Sequence, residues 1–116
     1  MKLTGLMSVI ALLAAAPAAQ QSKPAETAVS AETKKLYAVQ CQACHGPDGK
    51  ALLPDMSFIG RAWKHGTKTS DMAKVIAEGV PGTMMMPFKG RLTDAQIRDL
   101  ARYVRSLDPK LKPEKK

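Results

Sequence analysis

The only two cysteines of this 116-residue chain lie in the pentapeptide Cys41-Gln42-Ala43-Cys44-His45. Two cysteines with this spacing and a histidine directly after the second form the C-x-x-C-H pattern. On one helical turn, each thiol can bond to one of the two vinyl groups of a haem. The histidine then lies over the iron, to which a neutral imidazole is a good ligand. The motif predicts one covalently attached haem c, tethered by Cys41 and Cys44, with His45 as an axial ligand of its iron.

The low cysteine content excludes several other classes of protein. Two cysteines are too few for a disulfide-dense scaffold or for an iron–sulfur cluster held by four thiolates. A zinc site would need four ligands, and the distant His65 would complete the set at a poor spacing. A thioredoxin-like pair would need a βαβ unit, of which the sequence shows no sign. A pair of redox-active thiols is the remaining alternative to haem attachment.

The N-terminal residues predict export to the periplasm. Lys2 is followed by an uncharged apolar run at residues 3–16 and then by small residues. This is the pattern of a secretory signal peptide, and the run is too short to span a bilayer comfortably. We expect residues 1–18 to be removed, with an uncleaved membrane anchor as the alternative. Residues 19–30 are small and polar and predict a flexible linker.

The charge balance indicates the chemistry of the partners. Residues 1–18 contain one lysine and no acid, so 17 basic and 10 acidic residues remain after cleavage, a net charge of +7. Such a surface attracts acidic partners. The basic residues are not interleaved with aromatics that could stack on bases, so we expect no nucleic-acid partner. We also expect a monomer without stable membrane insertion.

The residues from 31 to 108 predict an all-α domain of three main helices. Ser30 caps a first helix that ends near residue 43. A second helix begins at Ser70 and ends at Gly79, and residues 46–69 and 80–92 are loops. Aromatic residues make up only 4% of the chain. A domain this small therefore needs another source of buried apolar surface, such as a cofactor.

The last helix has the clearest pattern. Thr93 and Gln96 form a capping box in front of it. Its apolar face repeats at helical spacing and comprises Ile97, Leu100, Ala101, Val104 and Leu107. Asp108 and Pro109 end the helix, and residues 109–116 are a basic C-terminal tail that we expect to be disordered.

The sequence resembles the class I c-type cytochromes over about residues 31–107. The motifs that carry the resemblance are Tyr37 four residues before Cys41, the run Cys41-Gln-Ala-Cys44-His45-Gly-Pro-Asp-Gly, Met86-Pro87-Phe88, and Tyr103-Val104. The resemblance implies a small cytochrome c fold, with three main helices and loops wrapped around one covalently attached haem. The family often has a glycine where this chain has Thr33, which leaves open how tightly the first helix crosses the last.

The resemblance also implies a methionine as the second axial ligand of the iron. The family places this residue directly before a proline, so Met86 is the expected ligand, with Met84, Met85 or His65 as alternatives. A thioether favours ferrous iron and raises the reduction potential relative to two imidazoles. With both axial positions filled by the protein, no open site is left for a substrate. An electron carrier is therefore favoured over an enzyme.

Further haem contacts are expected from the loop after the motif. The carbonyl of Pro54 is expected to accept a hydrogen bond from His45, as the family's proline does. Trp63 is expected either to donate its indole N–H to a haem propionate or to pack against the haem face or under the loop. Arg61 is expected to be a solvated surface residue, with a propionate contact as its alternative.

The predicted function is a periplasmic monohaem cytochrome that carries single electrons between redox partners. Lys50, Lys89 and Arg91 lie near the motif and the methionine loop in sequence, which favours docking to acidic-surfaced dehydrogenases, oxidases or reductases. The main alternative is a haem c subunit permanently bound to a dehydrogenase or terminal oxidase complex. A peroxide-reducing haem enzyme is a third hypothesis.

Overall fold

The computed structural model describes residues 29–115, and this part of the chain is helical. The helices are α1 (Ala31–Gln40), α2 (Gln42–His45), α3 (Thr69–Glu78) and α4 (Asp94–Leu107), with 3₁₀ turns at Pro47–Gly49 and Pro54–Met56. In these residues no strand forms, and β pairing is limited to a single bridge between Lys89 and Leu92. The prediction of an all-α fold is confirmed.

The predictions for the N-terminus concern a different part of the chain. The signal peptide at residues 1–18 and most of the linker at 19–30 lie outside the described residues. Between residues 29 and 115, the helices are all too short or too polar to cross a membrane.

The first helix begins as predicted but ends earlier. The Ser30 hydroxyl accepts a hydrogen bond from the Thr33 amide at 3.0 Å. The backbone at Cys41 has a φ of −122° and separates α1 from α2, so the prediction of one continuous helix to residue 43 is wrong. The Tyr37 hydroxyl donates to the Gly46 carbonyl at 2.8 Å. Nine residues of straight helix rise about 13 Å, beyond the reach of a tyrosine, so this contact requires the chain to turn back at Cys41.

The crossing of α1 and α4 is closely packed. The rings of Tyr37 and Tyr103 meet edge to face, with their centres 5.0 Å apart and an interplanar angle of 89°. Thr33 is only 6% exposed, and its hydroxyl lies 2.9 Å from the Ser30 hydroxyl. The larger side chain at this position is therefore buried with its polar group paired.

The last helix forms as its sequence predicts. The Thr93 hydroxyl accepts from the Gln96 amide at 3.1 Å, and the Gln96 side chain accepts from the Thr93 amide at 2.9 Å. The buried face comprises Ile97, Leu100, Ala101, Tyr103 and Val104. Each large apolar side chain on this face stabilises the fold by about 1.5–3 kcal/mol when fully buried.

The C-terminal tail contacts α3, where we expected disorder. α3 begins at Thr69, one residue earlier than predicted. The Glu114 carboxylate accepts from the Thr69 amide at 2.9 Å and from the Thr69 hydroxyl at 2.5 Å. A negative charge at the start of a helix interacts favourably with the helix dipole. Glu114, an acid within a basic segment, thus attaches the described part of the tail to the start of α3.

Candidate functional site

α3, α4 and the loop of residues 80–92 border a small apolar cavity of about 20 Å³. Its walls include Ile76 from α3, Phe88 and Leu92 from the loop, and Leu100 and Val104 from α4. Cys41, His45 and Met85 reach the same cavity. The structure therefore brings the C-x-x-C-H motif and one methionine of the loop together in one apolar pocket.

The two cysteines differ in their surroundings. Cys41 lines the pocket and is half-buried, whereas Cys44 is exposed. Burial raises the pKa of the Cys41 thiol to about 11, and the charge of Cys44 acts in the same direction. Redox-active cysteines instead have a lowered pKa, because the thiolate is the reactive form. The environment of Cys41 is thus not that of a reactive thiolate.

The imidazole of His45 is held by a backbone carbonyl. Its Nδ1 lies 2.8 Å from the carbonyl oxygen of Met56. Since a carbonyl only accepts, Nδ1 carries the proton and Nε2 is left with a free lone pair for a metal ion. The His45 ring also stacks on Phe58, with centres 4.3 Å apart and an angle of 20°.

The prediction that Pro54 supplies this carbonyl is wrong. Pro54 opens a 3₁₀ turn, and its own carbonyl accepts from the Ser57 amide at 3.2 Å. The acceptor for His45 is the carbonyl of Met56, the last residue of that turn. The carbonyl at the end of the turn is therefore the one available to the histidine.

The pKa of His45 lies below its ordinary value. Burial is the main cause, and the positive charge of Arg61 adds to it, while the hydrogen bond to Met56 acts in the opposite direction. The imidazole is therefore neutral at neutral pH, which is the form that binds iron.

The methionine loop is attached to the end of α3. The amides of Phe88 and Lys89 donate to the carbonyls of Ile76 and Ala77 at 3.0 and 3.1 Å. Gly79 ends the helix with a φ of +68°, and a Cβ there would lie only 2.7 Å from the carbonyl oxygen of Met85. Only a glycine allows the loop to approach this closely.

The three adjacent methionines point in different directions. Met85 packs against the core and lines the pocket, whereas Met84 and Met86 are 79% and 56% exposed. The structure thus places the expected ligand, Met86, outside the pocket and its alternative Met85 inside. His65 is also exposed and does not line the pocket.

Trp63 uses its indole N–H within the protein. Its Nε1 donates to Oδ2 of Asp108 at 2.9 Å, so this donor is engaged by a carboxylate of the chain and not free for a propionate. The indole packs parallel to Phe58, with centres 6.0 Å apart. The alternative prediction, a packing role, agrees with this geometry.

Sequence reasoning missed the role of Asp108, which seemed only to end α4. The residue is 1% exposed, and its carboxylate accepts from Trp63 and from the Lys110 amide at 3.0 Å. Burial by itself raises the pKa of Asp108, but its hydrogen bonds, including one from Gly60, outweigh burial and lower it. No local pattern distinguishes such a buried acid from an exposed residue at a helix end.

The comparisons with known proteins agree with this donor set. Residues 28–104 match the family described as cytochrome C oxidase, cbb3-type, subunit III. This chain belongs to that family of class I c-type cytochromes. Its cofactor is a covalently attached haem c, and the cysteine, histidine and methionine side chains at the apolar pocket are donors suited to this group.

Individual relatives of this cytochrome fall into two groups. It is 36% identical to cytochrome c6 of Nostoc sp. (strain PCC 7120), over 72% of this chain and 75% of that protein. It is 35% identical to the cbb3-type cytochrome c oxidase subunit CcoP of Rubrivivax gelatinosus, over 68% of this chain. The match spans only 26% of that oxidase subunit, about a quarter of its length.

One solved structure has the same fold as this cytochrome. It is a chain of the Kuenenia stuttgartiensis reducing HAO-like protein complex Kustc0457/Kustc0458, which superposes with a TM-score of 0.61 at 27% identity. The match covers 71% of this chain and 44% of the other. The small cytochrome c fold expected from the sequence is confirmed.

Proposed function

We propose that this cytochrome is a periplasmic carrier of single electrons whose iron has one histidine and one methionine ligand. The observation that carries the proposal is that His45 and Met85 line the same apolar pocket. Similarity to cytochrome c6 over three quarters of that protein supports a role as a carrier.

The residues around the pocket have different roles in holding the cofactor. A bound haem supplies one iron that gains or loses a single electron. Cys41 and Cys44 would tether the group through thioether bonds, and the Met56 carbonyl keeps the proton of His45 on Nδ1, so that Nε2 would be available to the metal. The apolar walls exclude water from the site.

We propose Met85, and not Met86, as the second axial ligand. Its amide donates to the Thr83 hydroxyl at 3.2 Å, and its carbonyl accepts from the Val80 amide at 3.1 Å. With both backbone groups of Met85 paired, the loop directs its side chain toward the pocket. Filling this position with a thioether leaves no open site for a substrate, which supports a carrier rather than an enzyme.

Single alanine substitutions at the three methionines test this ligand. In Met85→Ala we expect the oxidised protein to lose its weak far-red absorption band and the reduced protein to bind carbon monoxide readily. Met84→Ala and Met86→Ala serve as matched controls and should behave like the wild type. If Met86→Ala alone binds carbon monoxide, Met86 is the ligand; if all three behave like the wild type, methionine ligation is wrong.

The partner of the proposed carrier is an acidic-surfaced redox protein. Lys50, Lys89 and Arg91 are all exposed, and the chain has an excess of basic residues. Permanent association with a larger complex is the second candidate, because Leu52 is fully exposed and Leu53 is 63% exposed. Exposed apolar side chains of this kind also occur at protein–protein interfaces.

Cell fractionation distinguishes the two candidates. When the chain is expressed with its own N-terminal residues, we expect the haem protein in the periplasmic fraction, without residues 1–18 by mass spectrometry. Recovery only with detergent, or only together with a partner chain, would contradict a free carrier. In that case, Leu52→Ser and Leu53→Ser should release the protein if these side chains form the contact.

A further inference from the structure

The imidazole of His45 has two contacts that together fix its plane. The last torsion of a histidine side chain has broad energy minima, so the rotamer alone leaves the direction of the ring undefined. The hydrogen bond from Nδ1 to the Met56 carbonyl at 2.8 Å restrains one edge, but a carbonyl oxygen accepts hydrogen bonds over a broad range of directions. The face of the imidazole stacks on Phe58, with centres 4.3 Å apart, and this contact restricts the remaining rotation.

Phe58 is itself held firmly by the backbone at Gly49. The Phe58 amide donates to the Gly49 carbonyl at 2.9 Å, and the Phe58 side chain is only 8% exposed. A Cβ added at Gly49 would lie 3.2 Å from both Cβ and Cδ2 of Phe58, so the phenyl ring packs directly on this backbone. The ring beneath the histidine is therefore a fixed surface, because the chain around it leaves no room for another orientation.

A second ring connects Phe58 to the end of α4. The Trp63 indole is nearly parallel to Phe58, with an interplanar angle of 8° and centres 6.0 Å apart. The indole N–H is bound by the buried carboxylate of Asp108 at 2.9 Å, and that carboxylate also accepts from the Lys110 amide. The imidazole, the phenyl ring and the indole thus form one series of stacked rings that Asp108 anchors.

We propose that Phe58 is a positioning residue that sets the plane of the His45 imidazole, with Trp63 and Asp108 as its anchor. The proposal rests on His45 as an axial ligand, which is part of the proposed function. An aliphatic side chain fills similar space but offers no flat face, so the role requires a ring. A ligand whose plane is already fixed moves little when the iron gains or loses an electron, which suits a carrier.

Electron paramagnetic resonance of the oxidised haem protein tests this role. The g values of low-spin ferric iron depend on how the planes of its axial ligands are oriented. We expect Phe58→Leu to shift and broaden these g values, because the imidazole then adopts a range of orientations. Phe58→Tyr retains the aromatic face and should keep the wild-type g values. The far-red band should persist in both variants, since neither changes the methionine loop.

Tyr103→Leu is the matched control for the loss of a buried ring. Tyr103 is 7% exposed, but its ring packs on Tyr37 at the crossing of α1 and α4 and does not line the pocket. This variant should keep the wild-type g values. Unchanged g values in Phe58→Leu, or an equal change in Tyr103→Leu, would overturn the proposal while leaving the ligands as proposed. A wild type without a low-spin ferric signal would contradict ligation by His45 and Met85 itself, and with it this proposal.

Discussion

Asp108 is a buried carboxylate that fixes Trp63 and the start of the C-terminal tail. Its hydrogen bonds to the indole and to the Lys110 amide form only in the folded state, and they lower the pKa of its carboxyl below the ordinary value. A carboxyl whose folded pKa is lowered stabilises the protein at pH values above its unfolded pKa. This contribution disappears as the pH falls through the folded pKa.

Replacing Asp108 should change how stability depends on acid. We expect Asp108→Asn to lower the free energy of unfolding at pH 7 by about 1.5–3 kcal/mol, the usual contribution of hydrogen bonds to a charged group. The difference should shrink below about pH 4, where the carboxyl of the unfolded chain becomes protonated. Guanidinium chloride unfolding of the haem protein between pH 3 and pH 7 measures this. A difference that is constant across this range would contradict the assignment.

Residue types predicted the tethers and the histidine, but not the group that holds the histidine. The C-x-x-C-H pattern has a spacing of side chains that is typical of haem attachment. Every residue has a carbonyl, however, so the choice of Met56 over Pro54 depends on which carbonyl the 3₁₀ turn leaves available. In the same way, three identical side chains in a row carry no signal for which one enters the pocket. Backbone direction decides, and the sequence did not reveal it.

At the scale of elements, the junction of α3 and the methionine loop positions the proposed ligand. The loop pairs its amides with the last carbonyls of the helix, which otherwise lack partners. Gly79 makes this contact possible, because its missing side chain leaves room for the Met85 carbonyl. The helix end and the ligand loop thus form one unit.

Adding a single methyl group at this junction should displace the ligand. We expect Gly79→Ala to weaken the far-red band and to increase carbon monoxide binding by the reduced protein. Gly82→Ala is a matched control: Gly82 has a similar φ of +78°, but a Cβ there would meet nothing within 4 Å. It should keep the wild-type spectrum. If both variants change alike, backbone strain and not crowding explains the effect.

The sequence predicted the bounds of some helices better than those of others. α4 followed from a capping box and a regular apolar face, both of which are local patterns. The break between α1 and α2 did not, because no glycine or proline stands at Cys41. It depends on the contact between Tyr37 and Gly46, which joins residues far apart along a helix. Local propensity contains no information about such a contact.

At the scale of the whole molecule, the pocket is lined by side chains from segments spread over most of the described chain. The motif, α3, the methionine loop and α4 each contribute side chains to it. Their order along the chain could be predicted from the resemblance. The exact set of lining residues required the packing of α3 and the loop against α4.

Charge should control encounters with redox partners. We expect the rate of electron transfer to an acidic redox protein to fall as salt concentration rises, because salt screens the attraction. Lys89→Glu should slow the reaction more than Lys35→Glu. Lys89 follows Phe88 of the pocket, whereas Lys35 lines a separate groove between α1 and α4 that shares no residue with the pocket. Stopped-flow kinetics at several ionic strengths measures both effects, and equal slowing by the two substitutions would place the docking surface elsewhere.

The exposure of the three methionines also determines which of them peroxide oxidises first. Peroxide converts accessible methionine to the sulfoxide, so Met84 and Met86 react before the shielded Met85. A sulfoxide at either exposed position adds a polar group to a surface that already contacts water. The same change at Met85 would put a polar group among Ile76, Phe88 and the other walls of the cavity. If Met85 is the iron ligand, as proposed, oxidation of the two exposed methionines beside it would leave the ligand itself unchanged.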